Sequence, residues 1–276
     1  METASPAPPS MLPLRERAAA LRMLQRPSRG TTIVLCALLA LIAWSASGTE
    51  LSLARLTRGI PLIIEFVASL WPPDNSYWLD MLEPIAVTLQ MAVLGTLVSV
   101  VVAFPFGLLA ARNTSPNDSG YQVARLVLNV IRAIPSLVWA IILVAALGFG
   151  PFAGVLALGI GGVGTLGKLY AEAIEAINPR PVEAIRATGS AGLPIFTVAV
   201  LPQAMPLMIS YTLLDFEANI RSATILGIVG AGGVGFEVQA AFSQFLFHRV
   251  LTILVEIVAM VTIVDRLSAI IRARLI

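Results

Sequence analysis

The chain contains one cysteine, Cys36, and one histidine, His248. A disulfide within the chain needs two cysteines, and zinc sites and cysteine–histidine dyads need several such side chains close together. Neither a Cys/His metal cluster nor a Cys–His dyad is therefore expected within one chain. We expect no catalytic residue and no bound metal, and hence a protein that is not itself an enzyme.

Charged residues are also scarce. They make up 12% of the 276 residues, whereas 57% of the residues are hydrophobic. In a soluble domain about 25% of the residues are charged, and a chain with half that share cannot cover itself with a polar surface. The composition indicates an integral membrane protein that is surrounded by the lipid bilayer and has no nucleic-acid partner.

Long uncharged runs locate the membrane helices, because about 20 apolar residues are enough for one helical span. Such runs cover residues 30–49, 85–111, 133–167 and 187–214. The third run is best divided at the Gly- and Pro-containing stretch "GFGPFAG", and a weaker run near the C-terminus is interrupted by Glu256. The sequence predicts an all-α membrane protein with about six transmembrane helices, near residues 30–48, 86–111, 122–147, 152–172, 198–219 and 247–265.

Arginines near the ends of the spans predict the orientation, since loops rich in Lys and Arg stay in the cytoplasm. They precede the first span and follow the last, at Arg15, Arg17, Arg22, Arg26, Arg29, Arg266, Arg272 and Arg274. We expect both termini in the cytoplasm, and we expect residues 50–83 outside, with an interfacial helix among them. Residues 1–29 then form a cytoplasmic N-terminal segment. A cleaved signal peptide that includes the first run is the alternative.

Two glycine-rich stretches have the spacing of nucleotide-binding motifs. "GVGTLGKL" fits a phosphate-binding loop, but Leu169 stands where that loop needs a Ser or Thr for magnesium. "GAGGVG" fits a dinucleotide-binding fingerprint, but the polar βαβ unit around such a fingerprint is absent. Glycines in membrane helices permit close helix–helix approach. We interpret the first stretch as a packing surface and the second as a re-entrant or hinge element.

The segment "VEAIRATGSAGLPIFTVAVLPQAMP" begins in the largest predicted cytoplasmic loop, about residues 173–197. It follows the turn "NPRP" and predicts a short helix that starts near Glu183 and is closed by Gly189. The next residues, "AGLP", stop this helix and start the following span. From these features alone, an ordinary loop between two spans is the simplest interpretation.

This segment resembles a loop of the permease subunits of bacterial ABC importers, which carries E-A-A, three residues, Gly, nine residues, Ile, one residue and Leu-Pro. The matching positions are Glu183, Ala184, Ile185, Gly189, Ala199, Leu201 and Pro202, with apolar departures at Ile185 and Ala199. The resemblance implies a type I ABC importer permease fold for residues 30–276, in the bacterial inner membrane. It also implies that a separate ATPase subunit docks on a coupling helix and the residues after it, namely Glu183, Ala184, Gly189, Leu193 and Pro194.

Within that family the chain is similar to permeases of phosphonate-type importers. The similarity rests on "RAIPSLVWAIILV", "GKLYAEAIEAI", "EAIRATGS" and "NIRSATILGIVGAGGVGFE", and it covers about residues 132–276. It implies a phosphonate, phosphate or phosphite substrate, delivered by an extracytoplasmic substrate-binding protein to a permease homodimer with two ATP-binding subunits. Those subunits bind ATP and magnesium, and this chain binds no cofactor. A permease for an amino acid or another oxyanion, or a secondary transporter, is the alternative.

Ionisable groups inside a span are costly and usually border a cavity or a partner group. The candidates for the substrate pathway are Arg132, Glu217, Arg221 and Glu256, together with Gly232 and Gly233, whose backbone N–H groups could approach an oxyanion. The alternative for each charged side chain is a structural ion pair. Arg221 would then pair with Glu217 one helical turn away, and Glu256 would pair with an arginine.

Overall fold

The computed structural model describes residues 29–49 and 52–275. This part of the chain is helical and contains no β-strand, which confirms the all-α fold. The chain divides into two compact units, Met1–Glu65 and Phe66–Ile276. The cytoplasmic segment expected at residues 1–29 lies, except for its last residue, outside the described residues, so its boundary with the transmembrane domain stays a prediction.

Two helices open the described chain. Helix α1 (Arg29–Gly48) coincides with the first predicted span. Helix α2 (Leu53–Ser69) is the helix expected in the outer loop, and none of its residues is buried. Its location at the membrane interface stays a prediction.

The second unit contains the helices that position the functional residues. They are α3 (Leu82–Ala110), α4 (Asp118–Ala133), α5 (Ser136–Leu147), α6 (Pro151–Glu175), α7 (Pro179–Ala187), α8 (Leu201–Leu226), α9 (Val234–Ser243) and α10 (Phe247–Leu275). A single helical turn (Leu193–Ile195) and a π-helical turn (Phe196–Val200) lead into α8, and a second π-helical turn (Gly227–Ala231) follows it.

Four stretches of the described chain are long and apolar enough to cross a membrane: Gly30–Gly48, Leu82–Ala110, Pro151–Glu175 and Leu193–Ala231. The bent pair α4 and α5 makes a fifth if it is one broken span. This number is consistent with the expectation of about six. The sixth predicted span lies in α10, which is not among these stretches, so that span stays a prediction.

The third predicted span is not one continuous helix. It is broken between α4 and α5, whose axes differ by 81°. Pro135 has no N–H to continue the helical hydrogen bonds, and it disfavours the helical conformation of the residue before it. Ile134 is accordingly extended, with φ −101° and ψ 116°. Arg132 therefore lies at the end of α4, beside this bend, rather than in the middle of a straight span.

Helix α6 lies at the centre of the unit and contacts α3, α4, α5 and α8. Its glycines let neighbouring backbones approach closely. A side chain at Gly164 would meet the Arg132 backbone nitrogen at 2.7 Å, and one at Gly159 would meet Val98. The stretch "GVGTLGKL" is therefore helical and serves as a packing surface, as the membrane interpretation predicted.

Candidate functional site

The short helix predicted near Glu183 is present as α7, which runs from Pro179 to Ala187 and so begins four residues before Glu183. Its role in coupling stays a prediction. The Asn178 side-chain oxygen caps its first turn by accepting a hydrogen bond from the Arg180 N–H at 3.0 Å. Pro179 suits the first helical position, where an N–H would have no helical partner. The Asn178 N–H in turn donates to Gln203 Oε1 in α8 at 3.1 Å. These contacts fix the start of α7 against α8.

The residues predicted to dock on an ATPase are accessible. No residue of α7 is buried, and Val182 and Ile185 are half-buried on its inner side. Leu193 is 72% exposed although it is apolar. Exposed apolar residues rimmed by polar ones are typical of interaction surfaces. The accessible coupling residues are Glu183, Ala184, Gly189, Leu193 and Pro194.

Two glycines set the course of the chain after α7. Gly189 has φ +83° and Gly192 has φ +63°, conformations that residues with a Cβ rarely adopt. The Gly189 N–H donates to the Arg186 carbonyl at 3.0 Å, so Gly189 closes the last turn of α7. No atom lies within 4 Å of a Cβ built on either residue, so backbone conformation rather than space requires glycine here.

A groove of about 590 Å³ separates α7 and the residues that follow it from the end of α3. It is largely apolar, and its lining includes Phe104, Leu108, Val182, Leu193, Phe196 and Val200. Helix α7 is thus tied to the bundle at its start and borders this groove along its inner side.

A polar network that no sequence motif predicted joins the ends of α3 and α6 to α4. Glu175 accepts two hydrogen bonds from Arg125 Nη2, both 3.0 Å long, and one of 2.8 Å from the Arg112 backbone N–H. The Tyr121 ring lies 4.6 Å from the Arg125 guanidinium carbon. A hydrogen bond with the Tyr121 hydroxyl raises the pKa of Arg112. The network fixes the end of α6, immediately before the coupling helix.

Two ion pairs join α8 to α10, and neither is the expected one. Glu217 accepts a hydrogen bond from Arg272 Nη2 at 2.8 Å, and Arg221 Nη1 lies 3.4 Å from Asp265 Oδ1. The expected pair of Arg221 with Glu217 is wrong because α10 packs along α8 and supplies an oppositely charged partner for each residue. Glu217 and Arg221 lie well within α8, because the helix continues to Leu226, beyond the end predicted for the fifth span near residue 219.

The other two charged candidates have no ion-pair partner within the described chain. Arg132 is exposed in the last turn of α4. Glu256 is 7% exposed and lies beside an apolar groove of about 250 Å³, lined in part by Ile85 and Met260. Its Oε2 atom has no hydrogen-bond partner among the described residues. The arginine expected beside Glu256 is not found among the described residues. Helices α3 and α10 instead surround the carboxylate with apolar side chains.

The glycine segment forms the turn between α8 and α9. Gly230, Gly232 and Gly233 have φ values of +99°, +84° and +70°. The Gly230 carbonyl accepts a hydrogen bond from the Gly150 N–H at 3.0 Å, and the Val234 N–H donates to Thr88 Oγ1 at 2.9 Å. These bonds attach the turn to α3 and to the start of α6.

Asp215 lies near buried polar side chains that were not predicted, namely Thr96, Ser99 and Asn219. Asn219 Nδ2 donates to Thr96 Oγ1 at 2.9 Å and to Asp215 Oδ2 at 3.0 Å. Ser99 Oγ bonds to the Gly159 carbonyl at 3.0 Å. The i, i+4 spacing of Asp215 and Asn219 in an apolar span was the available signal. No group of three or more His, Cys, Asp and Glu side chains in the described residues could hold a metal ion.

A bundle of apolar helices around α6, with an exposed coupling helix on the loop after it, is the architecture of type I ABC importer permeases. The chain belongs to the family of binding-protein-dependent transport system inner membrane components, whose model matches residues 103–276. The resemblance drawn from the Glu183 segment is thereby confirmed. The protein is a multi-pass subunit of the inner membrane.

Similar proteins of this family agree with the resemblance to permeases of phosphonate-type importers. The phosphite transport system permease protein PtxC of Stutzerimonas stutzeri is 41% identical over 222 residues, which cover 80% of this chain and 81% of that protein. The phosphate-import permease protein PhnE of Mycolicibacterium smegmatis is 40% identical over 224 residues, which cover 81% of this chain and 42% of that protein.

Solved structures support the fold. A structure of the MetNI methionine ABC transporter, described as inward facing, superposes with a TM-score of 0.64 at 22% sequence identity. The match covers 74% of this chain and 99% of that chain.

Proposed function

We propose that the chain is the permease subunit of an ATP-driven importer for phosphonate, phosphate or phosphite. The observation that carries this proposal is the 41% identity to a permease named for phosphite transport, over 80% of this chain. A further relative named for phosphonate transport in Escherichia coli is 50% identical over 114 residues, which cover 41% of this chain and 93% of that protein. Membership of the family implies ATP-binding subunits and a substrate-binding protein as partners.

In this proposal α7 docks on an ATP-binding subunit, which holds and hydrolyses ATP with magnesium, while this chain holds no cofactor. Glu183, Ala184, Gly189, Leu193 and Pro194 form the docking surface. Closure of the ATP-binding subunits pushes α7. The contacts at Asn178 and Glu175 pass the movement to α8, to α4 and to the ends of α3 and α6. The bundle then alternates between inward-open and outward-open states.

The substrate is an anion, and transferring an anion into a low-dielectric region without compensation costs several kcal/mol or more. Arg221 is the first choice for compensation, because it is exposed within α8. Gly232 and Gly233 contribute backbone N–H groups from the turn between α8 and α9, which in this proposal is the outer gate of the pathway. Arg132 is the second cationic candidate. In this proposal Glu217 holds Arg272 through an ion pair, and we assign no role to Glu256.

Two copies of the chain complete the pathway. One chain carries one coupling helix, so two ATP-binding subunits require two permease copies, and identical copies give a symmetric dimer. We also propose that both termini lie in the cytoplasm, because arginines precede the first span and follow the last.

A permease for a different substrate is the second candidate. A D-methionine transport system permease of Pasteurella multocida is 29% identical over 158 residues, which cover 54% of this chain. The lower identity and shorter match favour the oxyanion.

The test is ATP-coupled uptake into liposomes that contain the permease, its ATP-binding subunit and its binding protein. Labelled phosphate, phosphite, methylphosphonate and methionine are each offered in turn, with the other three as unlabelled competitors. We expect ATP-dependent uptake of at least one of the three oxyanions and no competition by methionine. Uptake of methionine, without uptake of any of the three, would reject the proposed substrate class.

A further inference from the structure

The ion pair of Arg221 and Asp265 lies at the level of the middle of helix α3, yet both side chains are about half exposed. The adjacent Ile220 packs against Ala92 and Met260, and Asn219 bonds to Thr96, which lies midway along the 29-residue helix α3. The Arg221 side chain is nevertheless 51% exposed, and that of Asp265 is 45% exposed. Charged side chains at this depth avoid lipid and face water or protein. The surface of α8 and α10 that carries the pair therefore borders an aqueous space or another chain.

The pair is loose compared with its neighbour. A single contact of 3.4 Å joins Arg221 to Asp265, whereas Arg272 donates to Glu217 at 2.8 Å and the Glu217 side chain is only 8% exposed. An exposed, monodentate ion pair contributes little to stability. Asp265 can therefore be displaced from Arg221 without disturbing the packing of α8 against α10.

An oxyanion presents to arginine the same kind of oxygen acceptor as a carboxylate. We propose that Asp265 is the resident counter-ion of Arg221 and that the phosphate-like substrate displaces it during passage. This role rests on the proposed function. Asp265 keeps the arginine neutralised when no substrate is present, and it competes with the substrate for the guanidinium. The competition weakens substrate binding, so that the anion is released rather than retained. Asp265 is thus a residue that sets substrate affinity through Arg221.

The main experiment measures inorganic phosphate binding to the assembled permease and ATP-binding subunits without the binding protein. We expect Asp265→Asn to bind phosphate about fivefold more tightly, the factor that corresponds to an exposed ion pair. Its maximal uptake rate falls, because release becomes slower. In an Arg221→Gln background, Asp265→Asn has no effect on phosphate binding.

Glu172→Gln is the matched control. It breaks the pair with Lys168, in which both side chains are also partly exposed and 3.8 Å apart. We expect no change in phosphate binding for this variant. If Asp265→Asn binds phosphate equally well or more weakly, or only lowers the melting temperature of the complex, Asp265 is structural and the proposal is overturned.

A second experiment tests what this surface faces. Ala218→Cys places a thiol on the exposed side of α8, one turn before Arg221, in a Cys36→Ser background. We expect a water-soluble thiol reagent to modify it, and phosphate to slow that reaction. No reaction with the reagent would place the surface in lipid or in a closed contact and overturn the proposal. Failure of the wild-type complex to take up any of the three oxyanions would instead reject the proposed function, and this role of Asp265 with it.

Discussion

Gly189 closes the coupling helix with φ +83°, where a residue with a Cβ costs roughly 1–2 kcal/mol. We expect Gly189→Ala to distort the end of α7, and Glu183→Ala to remove a docking side chain, while the bundle stays folded because α7 buries no residue in it. Both variants should lose co-purification with the ATP-binding subunit and coupled uptake. Gly59→Ala, with open space around an ordinary helical glycine, is the control. Normal co-purification and transport in both variants would contradict the role of α7.

Arg221 and Arg132 are the two arginines proposed for the pathway. We expect Arg221→Gln to lower uptake of phosphate more than it lowers the melting temperature of the complex, since its pair with Asp265 is half exposed and weak. Arg132→Gln is measured in the same way. For this variant we make no prediction about whether uptake or the melting temperature falls more. If the loss of uptake in Arg221→Gln matches the loss of assembled complex, Arg221 is a structural residue.

At the scale of helices, the contact of α4 with α6 depends on Gly164. A methyl group there would meet backbone atoms of Arg132 and Leu128 at 2.7–3.0 Å. Backbone cannot move aside as a flexible side chain can, and overpacking typically costs about 1–3 kcal/mol. We expect Gly164→Ala to lower the melting temperature of the complex, whereas Gly59→Ala leaves it unchanged. An unchanged melting temperature for Gly164→Ala would show that α4 is free to shift.

The loop between α2 and α3 is attached to α9 by Tyr77, whose hydroxyl donates to Glu237 Oε2 at 2.8 Å. Burial, and then this hydrogen bond, raise the pKa of Tyr77 from 10.0 to about 12. A group with a raised pKa stabilises the fold fully below its unfolded pKa and loses that contribution as pH rises through the folded pKa. We therefore expect the stability that Tyr77 contributes to disappear between pH 10 and about 12. Melting temperatures measured against pH should show a smaller alkaline decline for Tyr77→Phe, and an equal decline would contradict this.

At the scale of the whole molecule, we predict a complex of two permease copies, two ATP-binding subunits and one binding protein. Each chain supplies one coupling helix, and closed twofold symmetry is the commonest arrangement of identical subunits. Native mass spectrometry of the purified complex measures the composition. A second, different permease chain, or a single ATP-binding subunit per particle, would show that the homodimer is wrong.

Most of the helices and the coupling loop were predictable, because their signals are local. Apolar runs of sufficient length require helices in a membrane, and the segment from Glu183 to Pro202 carries the spacing of its family. The bend at Pro135 was also a local signal, but the uncharged run around it concealed the break. The positions of α3, α6 and α7 therefore followed from neighbouring residues alone.

The partners of the charged residues were decided by tertiary structure. Arg221 pairs with a residue 44 positions away, and Glu217 with one 55 positions away, because α10 packs against α8. A helical repeat can predict a pair one turn apart, but it contains no information about which distant helix lies alongside. For the same reason the sequence placed Glu217 and Arg221 only near the end of a predicted span, whereas the packing of α8 with α10 decided that Glu217 is buried and Arg221 is exposed.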